Sequence, residues 1–201
     1  MRHLSWVETY FAPSLHPSSG DGPLKVVAFM GMPGAGKSVA VEVARERGAQ
    51  VLRMGDAVWD EVRRRGLPME AAVVGKVADE MRRSHGPDVW ARRTLEAVDR
   101  GARLVVIDGL RSAAELGAFK AALGAEFVLV RIDCPDGVRY ARISSRGRED
   151  DTASRRAFED RDARELGWGL GEVLAMADVA IDNAGTAQEL RAKVATLLDG
   201  L

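Results

Sequence analysis

The sequence predicts a three-layer α/β fold, a five-stranded parallel sheet with helices on both faces. Five short apolar runs, at 26–30, 50–54, 103–108, 126–132 and 178–181, alternate with segments of helical periodicity. The first run leads directly into a glycine-rich turn and then a helix. The 201 residues are 46% hydrophobic, enough for one ordinary domain with a substantial core.

Taken in order, residues 1–23 read as an N-terminal extension to a single domain spanning 24–201. Leu4, Trp6, Val7, Tyr10 and Phe11 suit a short docking helix, and Pro13 to Pro23 form a lead-in rich in proline, glycine and serine. After the first strand comes Gly31-Met32-Pro33-Gly34-Ala35-Gly36-Lys37-Ser38, the G-x-x-x-x-G-K-[ST] pattern of a phosphate-binding loop. Its helix buries Val39, Ala40, Val43 and Ala44 and stops at Gly48. Asp56 is expected to N-cap a helix to Arg65, which Gly66 and Pro68 end. A helix over 69–83 follows, then one capped by Asp88 with Val89, Ala91, Leu95 and Val98 facing inward. Residues 56–100 thus form a helical insert between two strands. Ser112-x-x-Glu115 and Thr186-x-x-Glu189 are capping boxes, and Pro135 suits the first position of another helix. The charged break after Ser145 leads to a polar helix ending near Leu166.

The loop dictates its own chemistry. Gly31, Gly34 and Gly36 accept backbone angles closed to other residues, so successive N–H groups can face a polyphosphate. The helix after the loop adds the positive end of its dipole. The spacing assigns Lys37 to the β- and γ-phosphates and Ser38 to Mg²⁺. Gly31 through Val39 are therefore the expected ATP contacts. In parallel sheets ligands sit beyond the carboxyl ends of the strands, which singles out Asp56, Asp108 and Arg111 as well. Asp108 closes an apolar strand where an acidic group can serve Mg²⁺. Arg111 either clamps a second phosphorylated molecule or pairs with Glu115. From Arg139 to Arg164 arginines are dense, among them Arg142, Arg146, Arg148 and Arg161. They suit a lid over about 146–156 that stabilises the transferring phosphoryl, or a solvated face of Arg–Asp pairs. Trp59, Trp90 and Trp168 read as packing anchors rather than stacking platforms.

Composition bounds the partners. The net charge of −1 supplies no field to recruit nucleic acid or an anionic membrane. Cys134 is the single cysteine, so no internal disulfide forms, and a reducing, cytoplasmic setting is expected. No apolar run approaches the ~18 residues of a membrane span. Neither His3 nor His16 has partners at metal-ligand spacing.

Gly31 to Ser38, Gly55-Asp56, Val106-Ile107-Asp108-Gly109 and Arg142-x-x-x-Arg146-x-Arg148-x-Asp150-Asp151 resemble the ordered signposts of the adenylate-kinase-like nucleotide kinases. Residues 177–186 resemble the close of dephospho-CoA kinases. The chain overall, especially 158–169, is similar to an archaeal family of adenylate-kinase-related or dephospho-CoA-kinase-related proteins. The resemblance covers about 26–198. It implies a P-loop kinase fold with an acceptor-binding insert and an Arg-rich lid. It also implies lid arginines (Arg142, Arg146, Arg148) on the ATP phosphates, an acceptor near Arg111, and backbone around Asn183 and Gly185 bordering adenine. Trp59 stands where adenylate kinases carry an arginine, and Arg111 lies one residue nearer the Asp-Gly pair, which weighs against AMP as acceptor. The expected activity is Mg·ATP-dependent phosphoryl transfer to a small-molecule acceptor held near Asp56, Asp108, Arg111 and Arg161 by a monomer or homodimer. Dephospho-CoA kinase is one alternative. An ATP-hydrolysing regulatory switch is another, of a different class.

Overall fold

The computed structural model describes residues 23–146 and 154–201. Five strands, β1 Lys25–Met30, β2 Gln50–Arg53, β3 Leu104–Asp108, β4 Phe127–Asp133 and β5 Val179–Asp182, form one sheet in the order β2-β3-β1-β4-β5. Every pairing is parallel, as the alternating pattern requires. The strand order reverses at β1, between β3 and β4, so the crevice for a ligand opens where β1 runs into the glycine turn.

The helices are α1 Lys37–Glu46, α2 Met54–Arg64, α3 Ala71–His85, α4 Val89–Glu96, α5 Ala113–Leu123, α6 Asp136–Arg146, α7 Arg155–Gly167, α8 Leu170–Ala175 and α9 Ala187–Asp199. Strand alternation sorts β1 between two layers. Val26, Ala28 and Met30 join a cluster with Val58, Val77, Trp90, Leu116 and Phe119 from α2 to α5. Val27 and Phe29 face the other way, onto Ala40 and Val43 of α1 and Leu190, Val194 and Leu198 of α9. Side chains of this size each contribute about 1.5–3 kcal/mol when fully buried. The three helices between β2 and β3 share the first cluster with the sheet, which packs the insert against that face.

Both capping boxes form. Ser112 and Glu115 exchange bonds at α5, and Thr186 and Glu189 do so at α9. Three local expectations are corrected. Helix α2 begins at the very end of β2, so Arg53 occupies the cap and Asp56 falls in the first turn without a side-chain cap bond. Asp88 stands at the cap of α4, but its carboxylate is engaged by Arg92 rather than the helix N–H groups. Pro135 precedes α6, its carbonyl accepting the Arg139 N–H at 3.0 Å. Helix α8, only six residues long, carries too little periodicity to be read from sequence. The extension 1–22 and the lid's core, 147–153, lie outside the described residues.

Candidate active site

The turn after β1 is built to hold an anion. The Ala35 N–H closes it on the Met32 carbonyl at 3.0 Å, and the Val39 and Ala40 N–H groups both turn to the Gly36 carbonyl. The N–H groups of Gly34, Gly36, Lys37 and Ser38 have no backbone acceptor among the described residues. Gly36 caps α1 with no side-chain bond, so these orphan donors and the helix dipole converge on one spot. Four free donors at a helix start fit a polyphosphate.

Lys37 folds onto this cradle, its Nζ donating to the Gly31 carbonyl at 2.6 Å and the Met32 carbonyl at 3.2 Å. Burial pulls its pKa from 10.5 down to about 8, against the opposing pull of Glu165 and then Asp108. Arg111 and Arg161 are the positive charges that act on the same ammonium. The predicted Lys37, Asp108, Arg111 and Arg161 therefore share one electrostatic neighbourhood. Ser38 is exposed in the first turn of α1, and Asp108 is half-buried at the end of β3. Their hydroxyl and carboxylate are the oxygen donors Mg²⁺ takes. Asp56 joins the group: burial raises its carboxyl pKa, and the Asp108 charge pushes the same way.

Other predicted residues are placed differently. Asn183 is 3% exposed and donates to the Ala35 carbonyl at 2.7 Å, bracing the back of the turn. Arg142, expected over the phosphates, donates to the Gly185 carbonyl at 2.6 Å and ties α6 to the loop after β5. Arg146 ends α6, and Arg148 lies outside the described residues. The Arg111 and Ser112 backbone N–H groups donate to Glu115 Oε2, while the exposed Arg111 guanidinium has no ion-pair partner among the described residues.

Beside the loop lies a cleft of about 660 Å³, walled by α2, α3, α4 and the turn after α7. Its apolar lining includes Met54, Val58, Val74 and three indoles, with Arg111 and Arg82 among its few cations. Trp90 is buried and donates to the Ala78 carbonyl, a packing anchor as predicted. Trp59 and Trp168 are corrected: they are 41% and 55% exposed and line the cleft. Their fate was illegible because it depends on which helix faces the opening.

The fit around Gly36 yields a test. It sits at φ +112°, and a Cβ there would stand 2.5 Å from Asn183 Nδ2 and 2.7 Å from Leu190 Cδ2. Gly36→Ala is expected to lower the melting temperature by several degrees and weaken nucleotide binding at least tenfold. Thermal unfolding with and without ATP measures both.

A family model described as an AAA domain matches residues 27–167. A UPF0200 protein of Methanothrix thermoacetophila is 46% identical over 181 residues, 89% of this chain and 98% of that one. Among solved structures, TT1252 from Thermus thermophilus superposes with a TM-score of 0.61 at 16% identity, covering 90% of this chain and 99% of that one. A gluconokinase from Sinorhizobium meliloti does so with 0.53 at 18% identity, covering 89% and 93%. At such identities these two neighbours show the fold alone, the α/β architecture of a parallel sheet between helices. The sequence match carries further, and by it the chain belongs to the UPF0200 family, with an AAA domain over most of its length.

Proposed function

We propose that the chain is a Mg·ATP-dependent phosphotransferase acting on a small-molecule acceptor of the nucleoside-monophosphate type. One observation carries the reading: Lys37, in the cradle after β1, and Arg111, in the wall of the cleft after β3, are close enough for the two cations to act on each other. A donor phosphate at the first and an acceptor at the second would meet between Lys37 and Asp108. The amides of Gly34, Gly36, Lys37 and Ser38 would bind the polyphosphate. Ser38 and Asp108 would hold Mg²⁺, which neutralises charge on the phosphates. Arg111 would orient an anionic acceptor bidentately, and Trp59 and Trp168 would flank its flat body. With a phosphate acceptor no base is needed, and catalysis is alignment plus charge stabilisation. With an alcohol, as in dephospho-CoA, the acceptor oxygen bonds to the γ-phosphorus, ADP leaves, and the hydroxyl proton passes to a base. Asp56, its pKa raised by burial, suits that role.

The test is ADP release with Mg²⁺, ATP and a panel of mononucleotides plus dephospho-CoA. Acceptor-dependent ADP, with a phosphorylated product, is the expected result. Slow ADP release indifferent to every acceptor would instead support an ATP-driven switch. No helix among the described residues is long and apolar enough to cross a membrane.

A further inference from the structure

We infer that Arg139 and Asp162 form the joint that registers helix α7 against the phosphate-binding turn, making both of them positioning residues for the donor site; this rests on nucleotide binding at that turn. Arg139 lies on α6 and is 2% exposed, and its fork reaches two other elements, the turn and α7, besides its own helix. Its NH1 donates to the Pro33 carbonyl inside the turn at 2.9 Å. NH1 and NH2 together grip the Asp162 carboxylate of α7, and NH2 reaches Asp136 at 2.7 Å. The guanidinium also lies 4.8 Å from the centre of the Phe158 ring, one turn earlier on α7. Helix α6 is pressed on the turn itself: a Cβ on Gly34 would come within 3.0 Å of Ile143 Cδ1 and 3.1 Å of the Arg139 carbonyl.

A buried ion pair returns little over well-packed apolar side chains, and here Arg139 Nε is buried without a hydrogen-bond partner among the described residues. What the pair does supply is geometry. Asp162 directly follows Arg161 and precedes Glu165 by three residues, so the three share the sector of α7 that meets the core. Arg161 and Glu165 are two of the charges that act on Lys37. The bidentate fork therefore sets how far those charges stand from the triphosphate site, and links any shift of the Pro33 peptide to α7. A lysine could not reproduce this, because its compact ammonium lacks the planar fork that meets a carboxylate bidentately.

Hydrogen exchange on the full chain, with and without Mg²⁺ and a non-hydrolysable ATP analogue, tests the joint in wild type, in Asp162→Asn and in the apolar pair Arg139→Met/Asp162→Leu. In wild type the analogue is expected to slow exchange at least threefold both in 31–40 and in 155–167. In either variant that folds, protection of 31–40 should persist while that of 155–167 falls to less than half. Equal nucleotide-dependent protection of α7 in wild type and variants overturns the joint, as does its absence from wild-type α7 while the turn is protected. Absence of protection at 31–40 in wild type overturns the nucleotide site instead. Asp162→Asn, nearly isosteric, keeps the comparison available if the double variant does not fold.

Discussion

Lys37→Ala is expected to abolish nucleotide-dependent stabilisation and to lower phosphoryl transfer on the order of 10²–10³-fold. The ammonium donates to the Gly31 and Met32 carbonyls, bonds that it can exchange for phosphate oxygens. At a nucleotide concentration a hundred times Kd, linkage stabilises by about 2.7 kcal/mol. For a domain of this size that is a melting shift of roughly 5–10 °C, which the variant should lose. The unliganded variant should not be weaker than wild type at pH 7. The folded pKa of Lys37, about 8, lies below its ordinary 10.5, because burial disfavours the charged form. Between those values the unfolded chain binds the more protons, so this group's contribution to stability rises with pH across that window. Below pH 8 the buried charge costs its full amount. Wild type should therefore gain on Lys37→Ala between pH 8 and 10.5 in thermal melts without nucleotide. A variant that instead loses several degrees unliganded at pH 7 would mean that Lys37 holds the turn together rather than serving a ligand.

The sheet and the turn were legible because local chemistry alone determines them. An apolar run such as 26–30 has no alternative to a buried strand, and three glycines before Lys-Ser close off most other uses of the segment. The two capping boxes are equally local, and both formed. Features that depend on tertiary neighbours were not legible. Asp56 looked like a cap until β2 proved to run straight into α2. Arg139 is one arginine among many in a charged region, and nothing in its spacing distinguishes a buried fork from a solvated one. Asn183 reads as a loop residue, yet it is the brace behind Ala35, a contact across 148 positions. Trp59, Trp90 and Trp168 share a residue type and differ in fate, because only packing decides which ring is enclosed and which borders an opening.

The second large effect is expected at Glu61, which lies on α2 of the insert rather than in the glycine turn. The residue is 1% exposed, and its carboxylate takes bonds from Arg64 at 2.7 and 2.9 Å, Arg65 at 2.6 Å and Arg93 at 2.8 Å. Arg65 continues to Glu80 of α3 at 3.0 Å, and Arg93 belongs to α4, so one acid joins all three helices that wall the cleft. Glu61→Ala leaves those guanidiniums facing one another around a void. Removing one partner of a buried pair costs about 3–5 kcal/mol, and the arginines' partial access to water puts this case near 3. That corresponds to a fall in melting temperature of roughly 6–12 °C. The bonds from Arg64, Arg65 and Arg93 hold the carboxyl far below the ordinary 4.5. A depressed acid pKa gives stability that is complete above the unfolded value and drains away as pH falls below 4.5 toward the folded one. Wild type should therefore lose its advantage over Glu61→Gln progressively below pH 4.5. Glu61→Ala should also lose affinity for the acceptor while still binding ATP, since the cleft walls loosen but the turn after β1 rests on α1, α6 and Asn183. Acceptor KM raised severalfold with the nucleotide Kd unchanged is the expected pairing. Equal weakening of both ligands would show that the three helices also govern the phosphate cradle.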